Sequence, residues 1–144
     1  MAAGSIAGMD TSFMSTRLIT DDVRRLVGFY ELVTGITAAW STEDFAEVVT
    51  GHATLAIGST RTVPLFGVGS AEPAANRTAI LEFLVDDVDA EWERLREDLS
   101  DVVTEPVTMP WGNRALLFRD PDGNLVNLFT PATDAAREKF SVRR

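Results

Sequence analysis

The chain has 144 residues, no cysteine and a single histidine. This composition excludes a disulfide framework, a cysteine-based zinc site and a cysteine nucleophile. A transition-metal site would have to combine the one imidazole with carboxylates or with ligands from a second chain. The 13 basic and 22 acidic residues give a net charge of −9, which disfavours nucleic acid and anionic membranes as partners and favours cationic ligands.

The N-terminal residues 1–12 are rich in small side chains and lack the basic and apolar regions of a signal peptide. We therefore expect them to form a mobile tail. No apolar run reaches the length of about 18 residues that a membrane helix needs. A cytoplasmic protein without membrane partners is the expectation that follows.

An internal repeat organises the rest of the chain. Leu-Ile-Thr-Asp-Asp-Val at 18–23 recurs as Phe-Leu-Val-Asp-Asp-Val at 83–88, a shift of 65 residues. Each copy ends a strand-like run and begins a helix-like run with apolar residues at helical spacing. Asp22 and Asp87 are expected to cap the two helices, and Gly35 is expected to end the first one.

Strand-like alternation follows each helix, with predicted strands at 36–40, 45–49 and 53–57 and again at 102–109, 114–118 and 125–129. Asp-Pro-Asp-Gly-Asn at 120–124 predicts a tight turn before the last strand. Each half is therefore predicted as βαβββ, an α+β class. We expect one domain over 13–132 made of modules 13–70 and 78–132, joined by 71–77 and followed by a polar tail at 133–144.

Two motifs resemble a known family. They are Asp-Val-Arg-Arg-Leu-Val-Gly-Phe-Tyr at 22–30 and, in the second half, Pro-Trp-Gly-Asn-Arg at 110–114 with Phe-Arg-Asp-Pro-Asp-Gly-Asn-Leu at 118–125. Both resemble the vicinal oxygen chelate superfamily, which includes glyoxalase I, extradiol dioxygenases and bleomycin-resistance proteins. The resemblance implies two tandem βαβββ modules that form curled mixed sheets around a groove, usually in a homodimer.

Metal-dependent members of this superfamily carry one ligand, usually His or Glu, on each of four strands. The resemblance places these four positions at Ser15, Leu55, Ile80 and Asn127. Leucine and isoleucine have no donor atom, and serine and asparagine are weak neutral donors. We therefore expect no metal and no other cofactor, and metal-dependent glyoxalase or dioxygenase activity is disfavoured. His52 is interpreted as a surface turn residue.

Strand alternation places Arg17 on the face of Ser15 and Glu82 on the face of Ile80. Charged side chains inside a groove need partners. Two interpretations stay open: Arg17 and Glu82 pair with each other across the pseudo-twofold axis, or one or both contact a ligand. In a third interpretation Glu82 is a general base and Arg17 orients a substrate, which makes them the only catalytic candidates.

The other candidate ligand-binding residues are large and aromatic. Trp111 and Phe129 are expected at the groove, Trp40 near a sheet edge, and Phe66 in the segment after the first module's last strand, whereas Trp92 is assigned to the core. Together with the strand positions above, they predict a mostly apolar groove with a few polar groups. Such a groove is typical of a binding site for an organic molecule.

The leading hypothesis is a metal-independent protein that binds a small organic ligand and sequesters an aromatic or cationic antibiotic or metabolite. The first alternative is a metal-independent isomerase or lyase that uses Glu82 as its base. The second is a divergent member whose groove is filled and which acts through protein contacts. We expect a homodimer, with neither nucleic acid nor membrane as a partner.

Overall fold

The two predicted modules form two separate four-stranded sheets in the computed structural model, which describes residues 10–141. The first module contains β1 (Ser15–Thr20), α1 (Val23–Thr34), β2 (Ala39–Thr42), β3 (Phe45–Val49) and β4 (Thr54–Ser59). The second contains β5 (Ile80–Leu84), α2 (Val88–Leu95), β6 (Val102–Thr108), β7 (Asn113–Arg119) and β8 (Leu125–Pro131). A 3₁₀ helix (Thr60–Leu65) follows β4, and a third helix, α3 (Asp134–Ser141), follows β8.

The strand orders are β1-β4-β3-β2 and β5-β8-β7-β6. The β1–β4 and β5–β8 pairs are parallel and all the others antiparallel. The predicted α+β fold of tandem βαβββ modules is therefore confirmed. The predicted mobile tail lies mostly outside the described residues. Within residues 10–141, no helix has the length and apolar character needed to cross a membrane.

The helix boundaries follow the capping chemistry that the sequence predicts. The Asp22 carboxylate accepts a hydrogen bond from the Arg25 backbone N–H at 3.1 Å, and that of Asp87 accepts one from Ala90 at 3.2 Å. Gly35 ends α1 in the left-handed conformation, at φ +72°. Because these interactions are local, each is readable from a few consecutive residues.

One hydrophobic core extends across both modules. Helix α1 packs against β3 and β4 of its own sheet, and its Phe29 ring lies 6.0 Å from that of Phe118 on β7. The Arg94 guanidinium of α2 donates to the carbonyl oxygens of Leu32 and Val33 at 2.8 and 2.9 Å. Those carbonyls belong to the last turn of α1, where helical partners are missing, so α2 satisfies the end of α1.

A buried polar link also joins the modules. The Tyr30 hydroxyl on α1 donates to Asp120 Oδ2 at 2.6 Å, and Asp120 accepts three further hydrogen bonds from Asp122 and Asn124. Tyr30 is 0% exposed and Asp120 is 5% exposed. The turn predicted at 120–124 therefore also fixes a carboxylate against the first module's helix.

Burial, together with the negative charge of Asp120, raises the pKa of the Tyr30 phenol well above its ordinary value. The unfolded chain releases this proton near pH 10 while the folded chain keeps it. We therefore expect the buried Tyr30 phenol to contribute fully to the free energy of unfolding below pH 10. Above pH 10, that free energy should fall by about 1.4 kcal/mol per pH unit. Tyr30→Phe should lack this loss. The chain has no other tyrosine, so tyrosinate absorbance reports this residue alone. If tyrosinate forms near pH 10 while the circular dichroism spectrum stays native, the pKa of Tyr30 is not raised and the expectation is contradicted.

Candidate functional site

Each sheet has one side packed on a helix and core and one side facing away, which we call its groove face. Register assigns the groove-face residues, because paired residues point to the same side of a sheet. In the first module they include Ser15, Arg17 and Ile19 on β1 beside Thr54, Ala56 and Gly58 on β4. In the second module they include Ile80, Glu82 and Leu84 on β5 beside Leu125, Asn127 and Phe129 on β8.

Leu55 does not face the groove, which corrects the sequence prediction. It pairs with Thr16, is 4% exposed and belongs to the core. The reason is the turn before β4, which closes by a hydrogen bond from Thr50 to Ala53, whereas the corresponding turn before β8 closes from 120 to 124. Gly51 lies two residues before the closing residue Ala53, whereas Gly123 lies directly before Asn124, so counting four residues from the glycine gives the wrong phase of alternation.

Trp40 also lies on the helix side of its sheet. It pairs with Ala46, which is fully buried, and the Arg24 guanidinium of α1 lies 5.6 Å from the Trp40 ring centroid. Trp40 therefore lies on the edge strand β2, as predicted, and its side chain does not line the cavity on the second groove face. Trp92 packs against the core as expected.

Arg17 is held between two aromatic rings on the first groove face. Its guanidinium lies 4.5 Å from the centroid of Phe45 and 5.2 Å from that of Phe66, a cation–π arrangement. No ion pair among residues 10–141 joins Arg17 to Glu82. Glu82 instead accepts a hydrogen bond from the Asn127 side chain at 2.9 Å. Pairing of Arg17 with Glu82 within one chain does not occur.

A cavity of about 890 Å³ lies on the second groove face. Its aromatic lining consists of Trp111, Phe129 and Phe140, and its polar lining includes Glu82, Asn113, His52 and Lys139. The turn that connects β3 to β4, at 50–53, forms the wall contributed by the first module. The volume lies in the range of sites that hold drug-sized molecules, and the mixture of aromatic walls and few polar groups is typical of them.

The structure therefore divides the predicted site residues between two surfaces. Glu82, Trp111 and Phe129 line the cavity, and Asn127 adjoins it through Glu82. Ile80 lies on the same groove face, at the start of β5. The first module's groove face carries Ser15, Arg17 and the Phe66 ring that stacks on Arg17.

Helix α3 is the part of the site that sequence reasoning missed. Its Phe140 ring lies 5.1 Å from Phe129, and its Ala136 is buried. These two residues are four apart, so they lie on one face of a helix. That spacing was the available signal, although two apolar residues in a charged segment are a weak one.

The model of the glyoxalase/bleomycin resistance protein/dioxygenase superfamily matches residues 12–128. The chain belongs to this superfamily. It is 28% identical over 123 residues to YraH of Bacillus subtilis (strain 168), covering 81% of this chain and 95% of that protein.

Solved structures from this superfamily share the fold. A glyoxalase/bleomycin resistance protein/dioxygenase from Nocardioides has a TM-score of 0.69 at 22% identity, covering 87% of this chain and 86% of that one. A family enzyme from Burkholderia phytofirmans PsJN has a TM-score of 0.73 at 16% identity, covering 84% and 99%. At these identities the similarity establishes the fold of the superfamily and no particular activity.

The metal positions of the superfamily hold a poor donor set in this chain. Ala56 pairs with Arg17 as Asn127 pairs with Glu82, so Ala56 replaces Leu55 as the groove-facing residue of β4 and the set becomes Ser15, Ala56, Ile80 and Asn127. It contains no imidazole and no carboxylate, and two members, Ala56 and Ile80, have no donor atom. Within residues 10–141, no three His, Cys, Asp or Glu side chains cluster in a way that could hold a metal ion. These residues do not fit a transition-metal ion.

Gly112 allows α3 to dock beside the cavity. It has φ +99°, and a Cβ there would collide with Thr133 and lie 3.2 Å from Cβ of Ala136. Gly123 has φ +86° but open space around it, so it is a matched control for backbone strain alone. We expect Gly112→Ala to lower the free energy of unfolding by about 1–3 kcal/mol more than Gly123→Ala does, as urea denaturation would measure. Equal losses would show that α3 does not require this close approach.

Proposed function

We propose that this protein is a metal-independent member of the superfamily that binds a small organic ligand carrying an aromatic ring and a positive charge. The observation that supports this most is one cavity whose lining combines the Glu82 carboxylate with the rings of Trp111, Phe129 and Phe140. The rings would stack on a planar group, and the carboxylate would meet a cationic group.

The charge balance supports the same ligand class. The net charge of −9 favours association with cations. Glu82 makes no ion pair within residues 10–141, so its charge is available to a ligand. Sequestration of an antibiotic or a metabolite is the role that such binding would serve, and we propose that it takes place in the cytoplasm.

Catalysis by Glu82 is the second candidate. The carboxylate lines the cavity and uses one oxygen, Oε2, to accept from Asn127. That arrangement would leave Oε1 to remove a proton from a ligand, as an isomerase or lyase requires. We rank this second because Arg17, the residue expected to orient the substrate, lies on the other groove face.

A thermal-shift screen separates these functions. We expect aromatic amines such as tryptamine to raise the melting midpoint, while zinc, nickel and manganese salts leave it unchanged. A ligand at 100 times its Kd stabilises the native state by about 2.7 kcal/mol. Mass spectrometry of the bound compound then decides between the two candidate functions. Sequestration returns the compound unchanged, whereas catalysis yields a product. Glu82→Gln should abolish the formation of that product. Metal-dependent stabilisation would contradict the proposal.

We also propose that the protein is a homodimer whose interface includes the first module's groove face. Leu65, Phe66 and Val68 are 85%, 68% and 90% exposed in the isolated chain, an amount of apolar surface that a second copy would cover. Phe66→Glu should shift the mass measured by light scattering from dimer towards monomer, whereas Phe66→Leu should keep the dimer. A native mass of one chain for the unaltered protein would refute the dimer.

A further inference from the structure

Two opposite charges line the cavity without neutralising each other. Glu82 belongs to β5 and Lys139, the only lysine of the sequence, to α3. Neither forms an ion pair within residues 10–141, although five arginines in the same region do. The Lys139 ammonium instead lies 5.2 Å from the ring centroid of Phe140. Both charges are therefore available to a molecule in the cavity.

The two charged groups differ in what they can bind. Glu82 accepts hydrogen bonds from an amine, whereas Lys139 can only donate to an acceptor or an anion.

We propose that the ligand is an aromatic zwitterion of the amino-acid type, and that Lys139 is the residue that selects for its anionic group. This inference rests on the proposed binding function and refines its ligand class. The ring stacks against Trp111 and Phe129, the ammonium binds Glu82, and the carboxylate binds Lys139. Helix α3 is then a functional wall of the site as well as a packing element.

Three indole probes with the same ring test the charge assignment: L-tryptophan, tryptamine and indole-3-acetate. Calorimetric titration should give the highest affinity for L-tryptophan, because it alone carries both charges. Lys139→Gln should weaken the binding of L-tryptophan and of indole-3-acetate about tenfold and leave the affinity for tryptamine unchanged. Glu82→Gln should weaken the binding of L-tryptophan and of tryptamine and leave the affinity for indole-3-acetate unchanged. Arg137→Gln is the control, because it removes one positive charge from α3 at a residue outside the cavity lining.

The possible results distinguish failure of the zwitterion assignment from failure of the proposed binding function. If tryptamine binds while Lys139→Gln changes no affinity, or changes all three equally, the zwitterion assignment is overturned and the binding function remains. If none of the three probes binds to protein with native circular dichroism, both proposals are overturned. Arg137→Gln reproducing the effect of Lys139→Gln would assign it to overall charge and also overturn the inference.

Discussion

Asp120→Ala is expected to lower the free energy of unfolding by about 3 kcal/mol or more, because it leaves several buried donors without acceptors. The Tyr30 hydroxyl and the Asn124 amide both donate to this carboxylate, at 2.6 and 2.8 Å. Both residues are buried, so water cannot replace the lost acceptor without opening the contact between the modules. Two backbone N–H groups of the turn also lose their partner.

Urea denaturation measures this loss, with Asp21→Ala as the control because Asp21 is exposed at the end of β1. We expect a change of less than about 0.5 kcal/mol for the control. Tyr30→Phe should fall between them, at about 1–2 kcal/mol, because Asp120 keeps its other three donors. Equal effects of Asp120→Ala and Asp21→Ala would show that the link does not hold the modules together.

Trp111→Ala should weaken the binding of tryptamine about tenfold or more, because a tryptophan that stacks on a ligand carries much of its binding energy. Trp111 is 69% exposed, so its removal should cost little folding stability. The change therefore separates binding from folding, and a calorimetric titration at constant temperature measures it directly.

Trp40→Ala is the matched control for Trp111→Ala. Trp40 contacts Arg24 on the helix side of its sheet and does not line the cavity. We expect it to leave the affinity for tryptamine unchanged. An equal loss of affinity in the two variants would place the ligand outside the cavity.

Features that depend on a few consecutive residues were predictable from the sequence. The helix starts at Asp22 and Asp87, the helix end at Gly35 and the turn at 120–124 all follow from local hydrogen bonding and backbone conformation. The repeat then identified the two modules, because the same local pattern occurs twice.

Features that depend on where a residue lies within a turn or on distant contacts were not predictable. The phase of β4, and with it the placement of Leu55, depends on where Gly51 lies within its turn, one residue farther from the strand than Gly123 lies in the turn before β8. Arg17 pairs with aromatic rings from β3 and the segment after the 3₁₀ helix, and no sequence rule favours these over Glu82. The role of α3 depends on Gly112, whose close approach to Thr133 appears only in three dimensions.

The most direct test of metal-independent binding is a calorimetric titration of tryptamine into protein treated with EDTA, repeated with zinc and manganese added. We predict saturable binding with the same Kd in every case, and recovery of tryptamine unchanged. Binding that appears only after a metal is added, or conversion of tryptamine to a product, would contradict it.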